Sequence, residues 1–188
     1  MSLRHGFKAE ANRLAVQMRR ELGLHPAAPL APAQLAEHLA IPIKTFSSAI
    51  AHDARIERLL TTERESLSAL TVHAGPRREI WVNDSHDPGR QNSSADHEIA
   101  HALLMHPPGP ALDVLGCRHW DGEVEGEADW LAGCLLITNE AAWSIARKRL
   151  SPEAAMLAYG VSRSMLTWRM NMSGANARRG RSASAVTA

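Results

Sequence analysis

The chain has 188 residues, 45% of them hydrophobic and 22% charged, and carries a net charge of +1 at neutral pH. That balance belongs to a globular domain with a core of its own and excludes a disordered chain; no apolar run approaches the roughly 20 residues that cross a bilayer, which excludes a helical membrane protein. Its two cysteines, Cys117 and Cys134, exclude a disulfide framework and, without any CxxC pair, a zinc ribbon.

The first residues contain no apolar stretch of signal-peptide length, so the protein is expected to stay in the cytoplasm with its thiols reduced. Apolar residues at helical spacing (Leu14, Met18, Leu22) predict a helix over 10–22, and after a Pro-rich break a second, short helix follows over 33–39. Residues 41–46 read as a strand that Pro42 confines to a sheet edge, and 54–60 as a turn or two of helix. Two extended runs, 68–73 and 79–83, flank a Gly-Pro turn and predict a hairpin, so the sheet is expected to be small and antiparallel. A polar loop over 83–91 then leads to a helix over 94–106, with Asn92, Ser93 or Ser94 as its N-cap and the prolines at 107 and 108 as its stop. A loop over 109–122, a helix over 123–137 whose apolar face uses Trp130, Leu131, Cys134 and Leu135, and further helices over 139–172 complete an α+β order. The partition expected is a core over 1–138, a C-terminal helical segment over 139–174, and a disordered tail over 175–188.

The helix over 94–106 contains His97-Glu98-Ile99-Ala100-His101. Two imidazoles four residues apart project from one helical face and can reach one metal ion, for which Zn2+ is the first expectation; manganese, iron or cobalt would accept the same donors. Glu98, beside the first histidine, is placed to take a proton from a water on the metal without binding the ion itself, which is the arrangement of metal-assisted hydrolysis. A third ligand must come from elsewhere. The stretch Glu123-Val124-Glu125-Gly126-Glu127-Ala128-Asp129 is the place to seek it, with Glu125 preferred, then Glu127, then Glu123. Asp129, four residues beyond Glu125 on the same helical face, could hydrogen-bond the remaining N–H of a ligand histidine. His106, His119 and Tyr159 are candidates for stabilising an oxyanion. Cys117 is read as an inert thiol.

These elements resemble the ImmA/IrrE-type metallopeptidases. Trp81-Val82-Asn83-Asp84-Ser85-His86 is similar to the strand and loop that lead into H-E-x-x-H in that family, and Glu125-Gly126-Glu127-Ala128-Asp129 through Leu135-Leu136 is similar to its E-x-x-A-[N/D] helix. Ile99-Ala100 stands where Leu-Gly is frequent, and Trp130 where Phe is usual; both keep the apolar or small character. The resemblance implies a minimal zincin-like fold with His97, His101 and Glu125 as zinc ligands and Glu98 as base. It also implies cleavage of a specific protein, often a helix-turn-helix repressor.

The last third of the chain opens a rival reading. Residues 141–188 carry 8 Lys and Arg against 1 Glu, and the segment 154–169, with Gly160-Val161-Ser162 at its turn, has the layout of a helix-turn-helix. Nucleic acid or an acidic protein surface could meet it. The chain would then be a non-proteolytic regulator that binds DNA or a repressor and keeps its metal for structure or sensing.

Overall fold

The computed structural model describes residues 3–51, 53–75, 77–107 and 122–176. Of the expected loop over 109–122, all but Gly122, and with it Cys117 and His119, lies outside the described residues, as does nearly all of the expected tail. Helix α1 (Phe7–Glu21) opens the chain, three residues earlier than its periodicity predicts, because Phe7 is itself fully buried and Gly6 adopts a left-handed conformation (φ 81°) at the N-cap. Helix α2 (Pro32–His38) follows with Pro32 in its first turn, where a missing N–H costs nothing. Strand β1 (Ile43–Thr45) is shorter than expected: Thr45 accepts a hydrogen bond from the Ser48 amide and starts helix α3 (Phe46–Ala49). A 3-10 turn (Ala54–Ile56) and helix α4 (Glu57–Leu60) precede the hairpin of β2 (Ala69–Ala74) and β3 (Arg77–Val82).

The sheet is mixed, not purely antiparallel. Its order is β1-β3-β2; β2 and β3 pair antiparallel, whereas β1 pairs parallel with β3, Ile43 opposite Ile80. The chain traverses α3, α4 and β2 between these two strands, and this long crossover is what parallel pairing requires. β1 holds the edge that Pro42 predicts for it.

Helix α5 (Pro88–Leu103) also corrects the sequence reading. Its N-cap is Asp87, whose carboxylate accepts from the Arg90 amide, and Pro88 occupies the first turn. Asn92, Ser93 and Ser94 therefore lie inside the helix, and Asn92 donates instead to the carbonyl of Gly160 at 2.8 Å. The loop before α5 is tied down by Asn83, fully buried, whose amide donates to the carbonyls of Leu59, Arg64 and Leu67 at 2.8, 3.2 and 2.9 Å. His86 joins the same loop through Nε2, 2.7 Å from the Arg64 carbonyl.

Helix α6 (Gly122–Leu136) matches the expected element, and α7 (Asn139–Lys148), α8 (Pro152–Tyr159) and α9 (Arg163–Met172) complete the described fold. One buried cluster joins α1, α2, β3, α5 and α6 through residues such as Phe7, Leu35, Ile80, Ile99 and Leu131. A second, from Leu136 to Ala175, unites the last three helices. The two meet at the C-terminal end of α6. Arg169 of α9 does not face solvent: it is 1% exposed and donates to the Ile137 carbonyl at 2.8 Å.

The turn between α8 and α9 sits against the first turn of α5, where a Cβ on Gly89 would lie 2.7 Å from the Ser162 backbone nitrogen. Gly to Ala inside a helix ordinarily stabilises by about 1 kcal/mol. Here the overlap is with backbone, so Gly89→Ala is expected to reverse the sign and cost about 1–3 kcal/mol, read as a lower urea midpoint at unchanged slope.

Candidate metal centre

The helical spacing of α5 does what the sequence leads one to expect: His97 and His101 turn their Nε2 atoms toward each other, 3.0 Å apart. Helix α6 packs alongside and delivers Glu125 from its first turn, with Oε2 3.2 Å from Nε2 of His97 and 3.6 Å from Nε2 of His101. Four-coordinate zinc with bonds of about 2.0–2.1 Å separates its ligand atoms by roughly 3.3 Å. The three atoms have that spacing, and their chemistry, two imidazole nitrogens and a carboxylate oxygen, suits zinc. Among the described residues, His97, His101 and Glu125 form the group that could hold a metal ion. Their side chains are 24, 22 and 23% exposed, so the centre opens to solvent, as a catalytic site must and a sealed structural site need not.

Asp129, one turn beyond Glu125, places Oδ1 2.9 Å from Nδ1 of His97. It therefore fixes that ring with Nδ1 as a donor and Nε2 turned toward the other two ligand atoms. Burial opposes charge on His97, but the hydrogen bonds to Asp129 and Glu125 outweigh it and push its pKa up to about 10. His101 behaves in the opposite way: burial and then the charge on His97 push it down to about 4. The hydrogen bond to His97 holds the Glu125 carboxyl below the usual range despite burial. Without metal, positive charge is thus favoured on His97 and disfavoured on His101.

Glu98 turns to the sheet. Thr71 of β2 donates from Oγ1 to its Oε2 at 2.5 Å, leaving the carboxylate fixed beside the ligands and outside the ligand set. Its charge is among those that favour the proton on His97. Glu127, the second choice for third ligand, is 6% exposed, accepts from Arg4 at 2.7 Å and is not among the converging donors. Glu123 is exposed on the first turn of α6. Of the three glutamates, the structure brings Glu125 to the histidines.

The oxyanion candidates separate as well. Tyr159 donates its hydroxyl to the Ala27 carbonyl at 2.9 Å and braces the second cluster. His106 lies against His101, Nδ1 to Nδ1 at 3.0 Å. His119 falls outside the described residues. Burial pushes the thiol of Cys134 up to about 11, which leaves it inert. Thr71 and Arg4 escaped the sequence reading. Thr71 alternates correctly on a strand, but nothing in the sequence says which helix that strand faces; Arg4 precedes the first helix with no local signal.

A family model described as IrrE N-terminal-like domain, Peptidase_M78, matches residues 51–171, from the 3-10 turn through α9 and including both motif-bearing helices. The chain belongs to the IrrE N-terminal-like domain family. No curated protein matches it. Membership of this peptidase family implies a peptidase-type function for the chain. Among the described residues no helix is long and apolar enough to cross a membrane.

The opposed shifts on the histidine pair predict how the metal-free protein responds to pH. The unfolded value of each is about 6.5. With its folded pKa raised to about 10, His97 contributes stability that is complete below about 6.5 and lost as pH rises toward 10. His101, depressed to about 4, contributes stability that is complete above about 6.5 and lost as pH falls toward 4. Thermal melts of the stripped protein should therefore show this pair's contribution peaking near pH 6.5, and Asp129→Asn should flatten the alkaline limb relative to wild type.

Proposed function

We propose that the chain is a zinc-dependent endopeptidase of zincin-like architecture that cleaves one specific cytoplasmic protein, a helix-turn-helix transcriptional repressor. The observation that carries the metallopeptidase reading is the convergence of His97, His101 and Glu125 beside a glutamate that takes no part in ligation and is held by the sheet. Zinc held by those three side chains would supply Lewis acidity to a peptide carbonyl and make a water more acidic.

The remaining work belongs to the chain. Glu98 receives the proton of the attacking water at its carboxylate and passes it to the departing amine, so that one group serves as base and then as acid. Thr71 orients that carboxylate through its Oε2. Asp129 keeps the proton of His97 on Nδ1 and so its Nε2 toward the metal. β2 pairs with β3 on one side, and among the described residues its other edge has no strand partner. An extended substrate segment could add to that edge next to Thr71, with main-chain hydrogen bonds giving it register.

The choice of a repressor as substrate rests on the resemblance of the motifs Trp81–His86, His97–His101 and Glu125–Leu136 to ImmA/IrrE-type enzymes and on the match to their domain family. The experiment is to incubate purified zinc-loaded protein with the helix-turn-helix repressor encoded nearest its gene. Wild type is expected to cut it; Glu98→Gln is expected to retain about one zinc per chain while losing cleavage by about 100-fold or more. His101→Ala and Glu125→Ala should lose the zinc. Cleavage undiminished in zinc-loaded Glu98→Gln would sink the mechanism. Salt-dependent DNA binding that needs residues 141–188, with no cleavage of the repressor, would install the non-proteolytic regulator in its place.

A further inference from the structure

The way α5 ends has a consequence for the metal centre. Met105 takes a left-handed conformation (φ 53°), its amide bonds the Ala102 carbonyl at 3.2 Å, and the His106 amide bonds the His101 carbonyl at 3.0 Å. This is the paired hydrogen-bond pattern of a Schellman motif, which folds the residue two past the C-cap back over the last turn of the helix. In this chain it lays one imidazole on another: the rings of His101 and His106 are 5.1 Å apart and nearly edge to face at 69°.

We propose that His106 is a positioning residue for His101, with Glu127 and Arg4 behind it, so that the N-terminal segment supports the metal ligand through a relay of hydrogen bonds and one longer electrostatic contact. This rests on the metal-site reading above. Nε2 of His101 faces His97 and Glu125; to bind an ion it must present a lone pair, which places the ring proton on Nδ1. That N–H needs an acceptor, and Nδ1 of His106 stands 3.0 Å away. His106 must then carry its own proton on Nε2, which faces Oε2 of Glu127 at 3.9 Å. The other oxygen of Glu127 accepts from Nε of Arg4 at 2.7 Å. Each tautomer forces the next, and the Glu127 carboxylate, too far from Nε2 for a hydrogen bond but held in place by the guanidinium, favours the proton on that nitrogen electrostatically.

The two ligand histidines are thus supported differently. His97 leans on Asp129, whose side chain is 51% exposed, whereas the relay behind His101 passes through side chains 10 and 8% exposed at His106 and Glu127. An interaction in a dry setting holds orientation more firmly than one competing with water. The position of His106 also removes it from another role. It touches the Nδ1 edge of His101 and not the Nε2 edge, so it does not join the ligand set.

The test is zinc affinity of the stripped full-length protein, measured by competition with a chromophoric chelator, together with the visible spectrum after loading with cobalt. His106→Ala is expected to weaken zinc binding by about 10- to 100-fold and to change the cobalt band. His106→Gln, whose amide oxygen can accept from Nδ1–H of His101, should recover most of that loss, a rescue that a mere packing role would not give. Glu127→Gln, which removes the charge behind His106, should lose about three- to tenfold. An alanine variant that binds zinc within about twofold of wild type with an unchanged cobalt band would overturn the relay. If that variant does not fold, Glu127→Gln decides, and unchanged zinc affinity there overturns it equally. A wild type that takes up no zinc would overturn the metal-site reading itself, and this inference with it.

Discussion

The geometry of the centre depends on how α6 is held, because α6 brings the carboxylates to histidines that another helix carries. A helix that ends inside a protein leaves carbonyls without partners, and its C-terminus carries partial negative charge. Two buried arginines answer both demands. Arg19 of α1 donates to the carbonyls of Leu135 and Leu136 at 2.7 and 3.4 Å, and Arg169 of α9 donates to that of Ile137 at 2.8 Å. Burial lowers the pKa of Arg19 to about 10, partly opposed by Asp96, so it remains charged at neutral pH. Removing either guanidinium would leave buried carbonyls unpaired, which costs more than the bond itself is worth. In the N-terminal half of α6, Arg4 clasps Glu127. Helix α1 and the residues before it therefore hold α6 at two points, Glu127 and its C-terminal carbonyls.

With α6 fixed lengthwise, small residues set its distance from α5. Ala100 on α5 and Ala128 and Ala132 on α6 are all buried in the cluster that joins these helices, and small side chains allow two helix backbones to approach closely. That closeness lets Glu125 and Asp129 both reach imidazoles on the neighbouring helix. It also accounts for the small residue at position 100, where the chain departs from the glycine frequent in the resembling family: the methyl group of Ala100 is fully buried in the shared core. The sheet contributes from the opposite side, through Thr71 on Glu98 and through Asn83 and His86, which tie the approach to α5 against the loop before β2.

Much of this was legible beforehand wherever the rule involved is local. The order of helices and strands, the hairpin, the edge position of β1 and the span of α6 follow from periodicity, Pro and Gly-Pro signals. Misreadings arose where two local signals competed. Asn92, Ser93 and Ser94 are good N-cap residues, yet Asp87 followed by Pro88 is an equally good start that is read first along the chain, and the Asn92 amide is occupied by Gly160, which lies far away in sequence. The parallel pairing of β1 with β3 was missed because strand composition carries no direction; only the crossover decides it.

By itself the sequence determined that two imidazoles share one helical face, that Glu98 lies between them, and that Glu125 and Asp129 share a face of their own, since a spacing of four residues on a helix is a property of the backbone. The tertiary structure decided which glutamate meets the histidines, because the rotation of α6 about its axis is set by what its buried face packs against. It likewise decided that Thr71 holds Glu98, that Arg4 reaches Glu127, and that His106 lies behind His101 and not across from it. Each of these joins elements, or the two ends of a capped turn, whose relative placement emerges only when the core closes and every buried donor and acceptor has to be matched.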